Sequence, residues 1–321
     1  MNSAVWHQHA LANRLQTLIL LTVMVAFLGL LGWLLWGSEG VILLIFAGVM
    51  LMLFNPSISP RLLMRLYRAE PLTPEQAPRL YDVLDVLTER SGLLRRPTLY
   101  YLPSDMVNAF AVGYPRQAAI AVTGGLLNAL SFREVSAVLA HEISHVRSND
   151  MRVMGLADIF SRLTSTLSLF GQLLLLLNLP LLLFGAVTVN WLAIGLLVLA
   201  PTLSTLAQLG LSRTREFDAD LNAARLTGDP EALAQALMKI ERIQGSWMER
   251  IFLPGRRLPE PSMLRTHPPT EERVRRLRAL QVVDHAPISL SPDAFDAELM
   301  QHLSPRAARR GPRWHVSGLW H

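Results

Sequence analysis

Two histidines four residues apart, with a glutamate after the first, stand at His141-Glu142-Ile143-Ser144-His145. This is H-E-x-x-H, a spacing with a mechanical reason. On an α-helix, residues four apart share a face, about 6 Å apart along the axis. Both imidazoles can then reach one Zn²⁺ at roughly 2.0–2.1 Å. Glu142 lies about 100° further round. It is placed to reach a water on the metal rather than the metal itself, the position a general base needs.

A helix must carry this motif. Ser131-Phe132-Arg133-Glu134 reads as a capping box, and Val135, Val138, Leu139 and Ala140 form an apolar stripe that buries it. A catalytic zinc takes three protein ligands and leaves a fourth position open. The chain has no cysteine, so the third ligand must be a histidine or a carboxylate. The candidate is Glu216, in Arg215-Glu216-Phe217-Asp218-Ala219-Asp220, with Asp220 one turn further on and able to orient a liganding histidine. On spacing alone, these acids could equally serve to balance Arg213 and Arg215.

The elements around the motif point to a membrane. Of the 321 residues, 51% are hydrophobic and only 17% charged, against about a quarter charged in a soluble domain. The net charge of +5 is spread beside apolar stretches and in the tail, without interleaved aromatics, so no nucleic-acid partner is expected. Thr17–Trp36 runs without a charge for the ~20 residues that a bilayer crossing needs. No A-x-A-like cleavage site follows it. Gly37-Ser38-Glu39-Gly40 reads as a tight turn before a second, shorter run, Val41–Phe54. No charge occurs from Leu163 to Ser212, enough for two further spans near Leu163–Phe184 and Trp191–Leu211. Arg14, the group Arg61, Arg65 and Arg68, then Arg147, Arg152 and Arg162, and finally Arg213 and Arg215 alternate with turns that carry only Glu39. By the positive-inside rule both termini and the motif face the cytoplasm.

The polar segments read as α+β. Thr73-Pro74-Glu75-Gln76 is a helix start running to about Ser91-Gly92, and Thr98–Leu102, Asn108–Val112 and Ala118–Thr123 are short strands ahead of the motif. Gly228 is a helix C-cap, Asp229-Pro230-Glu231 begins a helix through about Ile243, 255–261 is a loop, and Thr270–Leu280 is a charged helix. The expected fold is therefore a mainly α membrane protein, with about four transmembrane helices in two hairpins and a cytoplasmic α+β zincin-like domain with a small sheet. Its parts are an N-terminal hairpin (1–60), a first catalytic part (61–162), a second hairpin (163–212), a second catalytic part (213–303) and a basic tail (304–321), in which Arg306, Arg309, Arg310 and Arg313 serve solubility or touch anionic lipid. Leu211 precedes Glu216 by only five residues, whereas His145 precedes Leu163 by eighteen, ~27 Å if helical. Both cannot continue straight out of the membrane to one metal, so a bend is expected between Asp150 and Leu163.

Residues 141–151, HEISHVRSNDM, resemble the motif of HtpX-type membrane zinc metalloproteases, a gluzincin family related to the CAAX prenyl proteases. SRTREFDAD at 212–220 resembles that family's second motif, and NAFAVG at 108–113 and VTGGLL at 122–127 its sheet motifs. His267-Pro268-Pro269, followed by Glu272-Arg273, resembles a downstream motif shared with the prenyl proteases. The resemblance runs from about residue 98 to 280. It implies one Zn²⁺ per chain on His141, His145 and Glu216, with Glu142 as base. It implies an edge strand at Asn108, Ala109, Phe110 and Ala111 that pairs with extended polypeptide substrate, and His267 near the reacting oxygen, stabilising it or masking the metal. The implied activity is endopeptidase cleavage of misfolded or damaged membrane proteins in a bacterial-type inner membrane. A CAAX-type prenyl protease is the alternative enzyme, disfavoured by four spans without a large chamber. A non-catalytic scaffold is disfavoured by the intact Glu142, and a transporter by spans without ionisable residues.

Overall fold

A computed structural model describes residues 3–54, 59–184, 190–251, 269–280 and 285–288. The expectations for His267, the 255–261 loop and the 304–321 tail lie outside these residues.

The chain opens with α1 (Ser3–Phe54), which is helical on both sides of a sharp reversal at Trp36-Gly37. Gly37 takes φ 63°, ψ −144°, which an L side chain resists. The expected four-residue turn is therefore only two residues long, and Ser38–Gly40 already belong to the second arm. The arms meet at once: a Cβ on Gly40 would lie 2.1 Å from the Gly32 carbonyl oxygen.

Next come α2 (Pro60–Leu66), β1 (Glu70–Pro71) and α3 (Pro78–Ser91). The helix expected from Thr73 starts later than predicted. The Thr73 amide donates to Gln76 Oε1 at 2.9 Å and closes a single turn, after which Pro78 begins α3. Gly92 caps it in the left-handed region, as the sequence predicts. Strands β2 (Thr98–Leu102), β3 (Ala109–Tyr114) and β4 (Gln117–Thr123) join β1 in a four-stranded sheet of order β1-β2-β4-β3. β2 runs parallel to β4, and the other pairs are antiparallel. β1 was not legible in the sequence; it is two residues long, and one is a proline.

Then α4 (Gly124–Ala129) leads to α5 (Phe132–Ser148), the motif helix. Its capping box forms: the Ser131 amide donates to Glu134 Oε2 at 2.8 Å. The break between motif and membrane lies at Asn149 (φ 56°), just before the expected interval, and α6 (Asp150–Leu177) runs on without a bend. Asparagine is one of the few side chains that enter the left-handed region readily. After α7 (Leu179–Leu183), α8 (Trp191–Thr227) is one continuous helix from the apolar stretch through Glu216. Gly228 caps it as predicted, α9 (Pro230–Ile251) follows and extends beyond the expected Ile243, and α10 (Thr270–Ala279) ends the described helices.

Two kinds of packing coexist. Leu84 and Leu87 of α3, Ile120 of β4, Leu139 and Ile143 of α5 and Leu226 of α8 are fully buried in one core that encloses the motif. Each such side chain contributes about 1.5–3 kcal/mol. By contrast α1, α6 and α8 are long and apolar enough to cross a membrane, and their apolar side chains point outward, with Ile45, Phe170 and Leu192 each more than half exposed. A soluble core of buried helices would show the opposite pattern.

Candidate metal centre

His141 and His145 stand one turn apart on α5, and Glu216 faces them from α8. One ligand atom from each lies within 4.8 Å of the others, and the two Glu216 oxygens divide the closest approaches between them. His141 Nε2 and His145 Nε2 are 3.1 Å apart, His141 Nε2 is 3.4 Å from Glu216 Oε2, and His145 Nε2 is 3.6 Å from Glu216 Oε1. A tetrahedral ion with bonds of roughly 2.0–2.1 Å needs ligand atoms ~3.3 Å apart. The donor set therefore fits a zinc-sized cation, and it is the one group of three or more such ligating side chains so disposed among the described residues.

The backs of both imidazoles are held by carboxylates. Asp220 Oδ1 lies 3.0 Å from His141 Nδ1, and Asp150 Oδ2 lies 2.7 Å from His145 Nδ1. His145 Nδ1 is hydrogen-bonded to Asp150, whereas Asp220, expected to orient a liganding histidine, lies beside His141 Nδ1. Asp150 was not foreseen. It starts α6 and is turned back toward His145 by the left-handed residue before it, a geometry that sequence spacing does not encode.

Two buried arginines complete the cluster, and the sequence assigned neither a role. Arg273 of α10 donates through Nε and Nη2 to the two Asp220 oxygens at 2.7 and 2.6 Å, and its Nη1 is 3.2 Å from Glu216 Oε2. Arg215 donates through Nε to Asp150 at 2.6 Å and through Nη2 to Asp218 at 2.9 Å. Asp150, Glu216, Asp218 and Asp220 against Arg215 and Arg273, all buried, leave two negative charges, the amount a divalent cation neutralises. Burial pushes the His141 pKa down, but the hydrogen bonds to Asp220 and Glu216 outweigh it and lift the value to about 10. Burial also lowers that of His145, and the Asp150 bond reverses the direction.

Glu142 projects away from the donor set toward the sheet, where its Oε2 accepts the Ala111 amide at 2.8 Å. β3 is an outer strand, its free edge on the side away from β4. The hairpin closes at Tyr114↔Gln117 through two residues, so that pair is hydrogen-bonded and the pattern alternates back along the strand. Ala109, Ala111 and Gly113 therefore turn their amides and carbonyls outward. Asn108 immediately precedes the strand, and Phe110 points its main-chain groups at β4.

The model for peptidase family M48 matches residues 74–281. A protease HtpX homolog of Acaryochloris marina is 37% identical, covering 84% of this chain and 95% of its own. One of Pyrococcus abyssi is 34% identical, covering 83% and 95%. The solved structure of S. mikatae Ste24p aligns with 84% of this chain and 66% of its own at 21% identity and a TM-score of 0.48, too distant to bear on the fold.

Proposed function

The chain belongs to peptidase family M48, and on that premise we propose how this membrane metalloprotease works and where. His141, His145 and Glu216 hold one zinc ion, Glu142 is the general base, and Asp220 and Asp150 orient the two histidines. The convergence of one ligand atom from each of these three side chains within 4.8 Å carries this assignment. A zinc ion bound by these residues would supply water activation and polarisation of the substrate carbonyl. The remaining work falls to the chain. Glu142 takes the proton of the attacking water and returns it to the leaving amine. Its bond to the Ala111 amide holds the carboxylate beside the strand on which we place the substrate. An extended polypeptide adds to the outward main-chain groups of Ala109 and Gly113 and to the Ala111 carbonyl, flanked by Asn108 and Phe110. By resemblance, His267 acts at the reacting oxygen; it lies outside the described residues.

The substrates are unfolded or damaged stretches of membrane proteins, cleaved on the cytoplasmic face of a bacterial-type inner membrane. α1 is read as two spans, supported by the Trp36-Gly37 reversal and the Gly32–Gly40 approach, giving four spans in two hairpins. The segments 61–162 and 213–303 then form one catalytic unit interrupted by the second hairpin. The prenyl-protease alternative has less support, because the relatives that this chain matches over most of its length are protease HtpX homologs.

The assignment is tested by pairing metal content with casein cleavage. Glu142→Gln is expected to keep about one zinc per chain and lose proteolysis; Glu216→Ala is expected to lose both. Zinc kept at full affinity in Glu216→Ala would remove Glu216 from the ligand set.

A further inference from the structure

We propose that α2 is a second membrane contact, lying on anionic headgroups and holding the β3 edge at the bilayer surface. The proposal rests on the membrane reading above and adds a partner to a helix that reading leaves without one. Met64 is fully buried against the sheet. Leu62 and Leu66, four apart on one face and roughly 160–200° from Met64, are 52% and 68% exposed. Arg61 and Arg65, also four apart, line the flank of that face, and Arg68 follows the helix end. All three are exposed, and among the described residues none takes an ion pair. Arg96, Arg133 and Arg278 each pair with a carboxylate, while Arg95, Arg116 and Arg213 are exposed and, among the described residues, take no ion pair either, so what marks this helix is the arginines beside exposed leucines. No acidic residue occurs between Glu39 and Glu70. Exposed leucines flanked by unneutralised arginines are the composition of a helix lying in an anionic headgroup layer. The position agrees, since Pro60 is six positions past Phe54, the last residue of α1, and six residues span at most ~20 Å.

α2 is also tied to the candidate substrate strand along its length. A Cβ on Gly113 would lie 2.8 Å from Pro60 Cγ, Met64 shares a buried cluster with Val112, and the Tyr67 and Phe110 rings meet edge to face at 5.5 Å. A helix resting on headgroups would therefore fix the depth of the β3 edge, within reach of a segment leaving the bilayer in extended form.

The chain has no cysteine, so single-cysteine probes report unambiguously. Leu66→Cys and, within α6, Phe170→Cys are labelled with an environment-sensitive dye in proteoliposomes of the full chain. Quenching is read with brominated phosphatidylglycerol and with brominated phosphatidylcholine. The probe at 170 is expected to be quenched in both. The probe at 66 is expected to be quenched strongly in the anionic vesicles and weakly in the neutral ones. Each of Arg61→Gln, Arg65→Gln and Arg68→Gln should lower its docked-to-free ratio about fivefold. Quenching at 170 with none at 66 in either lipid overturns the proposal and leaves the membrane reading standing. Equal quenching at 66 in both lipids overturns the anionic partner. No quenching at 170 overturns the membrane reading itself.

Discussion

At the scale of the residue, what distinguishes this site is how fully the backs of the ligands are held. His141 leans on Asp220, which Arg273 clamps; His145 leans on Asp150, which Arg215 clamps. An imidazole with its Nδ1 proton engaged presents Nε2 in one tautomer and orientation, so the carboxylates work through the histidines. Asp150→Ala is expected to weaken zinc binding about 10–100-fold in competition with a chelator, and Asp150→Asn less, since it keeps an acceptor for the His145 proton. Affinity unchanged in Asp150→Ala would mean that packing alone orients His145. The H-E-x-x-H ligands were legible because one helical turn relates them. Asp150 was not, because the four residues between it and His145 include a left-handed one, Asn149.

At the scale of the element, that reversal is the joint between chemistry and membrane. α5 ends and α6 begins at Asn149, whose φ of 56° lets α6 set off in a new direction while α8 runs straight from the membrane into the site. Length alone required a bend, since His145 lies too many helical residues from the apolar stretch for both helices to be collinear. Its place was set by the residue able to make it. Asn149→Ala forces a Cβ-bearing residue without a compensating polar side chain into the left-handed region, at a cost of about 1–2 kcal/mol. A lowered melting temperature and reduced peptidase activity are expected in Asn149→Ala, with Asn149→Gly close to the parent. Equal stability of Asn149→Ala and the parent would show that the joint tolerates other geometries. Capping signals located the start of α5 and the end of α8 well, because each rests on local chemistry. Thr73 misled for the same reason: its local bond to Gln76 is real but closes one turn only.

At the scale of the molecule, α1, α6 and α8 turn apolar side chains outward while the catalytic core turns them in. Arg61, Arg65 and Arg68 follow α1 and Arg213 and Arg215 follow the apolar part of α8, while the only charge near the α1 reversal is Glu39, at the start of its second arm. That asymmetry predicts an orientation. A reporter inserted at Ser38 is expected to be external and one fused after His321 cytoplasmic. Protection of the C-terminal fusion on the outer side would reverse the proposed orientation.

The sequence by itself picked out the H-E-x-x-H helix, the apolar helices and three of the four strands. Each depends on residues near one another in the chain: a histidine pair one turn apart, uncharged runs of bilayer length, caps at helix ends. It offered Glu216, just past an apolar stretch, as the candidate third ligand but could not bring it to the histidines. Only the tertiary structure decided that α8 faces α5 across 3.4–3.6 Å, that Arg273 from α10 and Arg215 from α8 clamp the orienting acids, and that Glu142 rests on the β3 edge. Those contacts join residues 31 to 75 positions apart. Their energies depend on burial and direction, which appear only once the chain is packed.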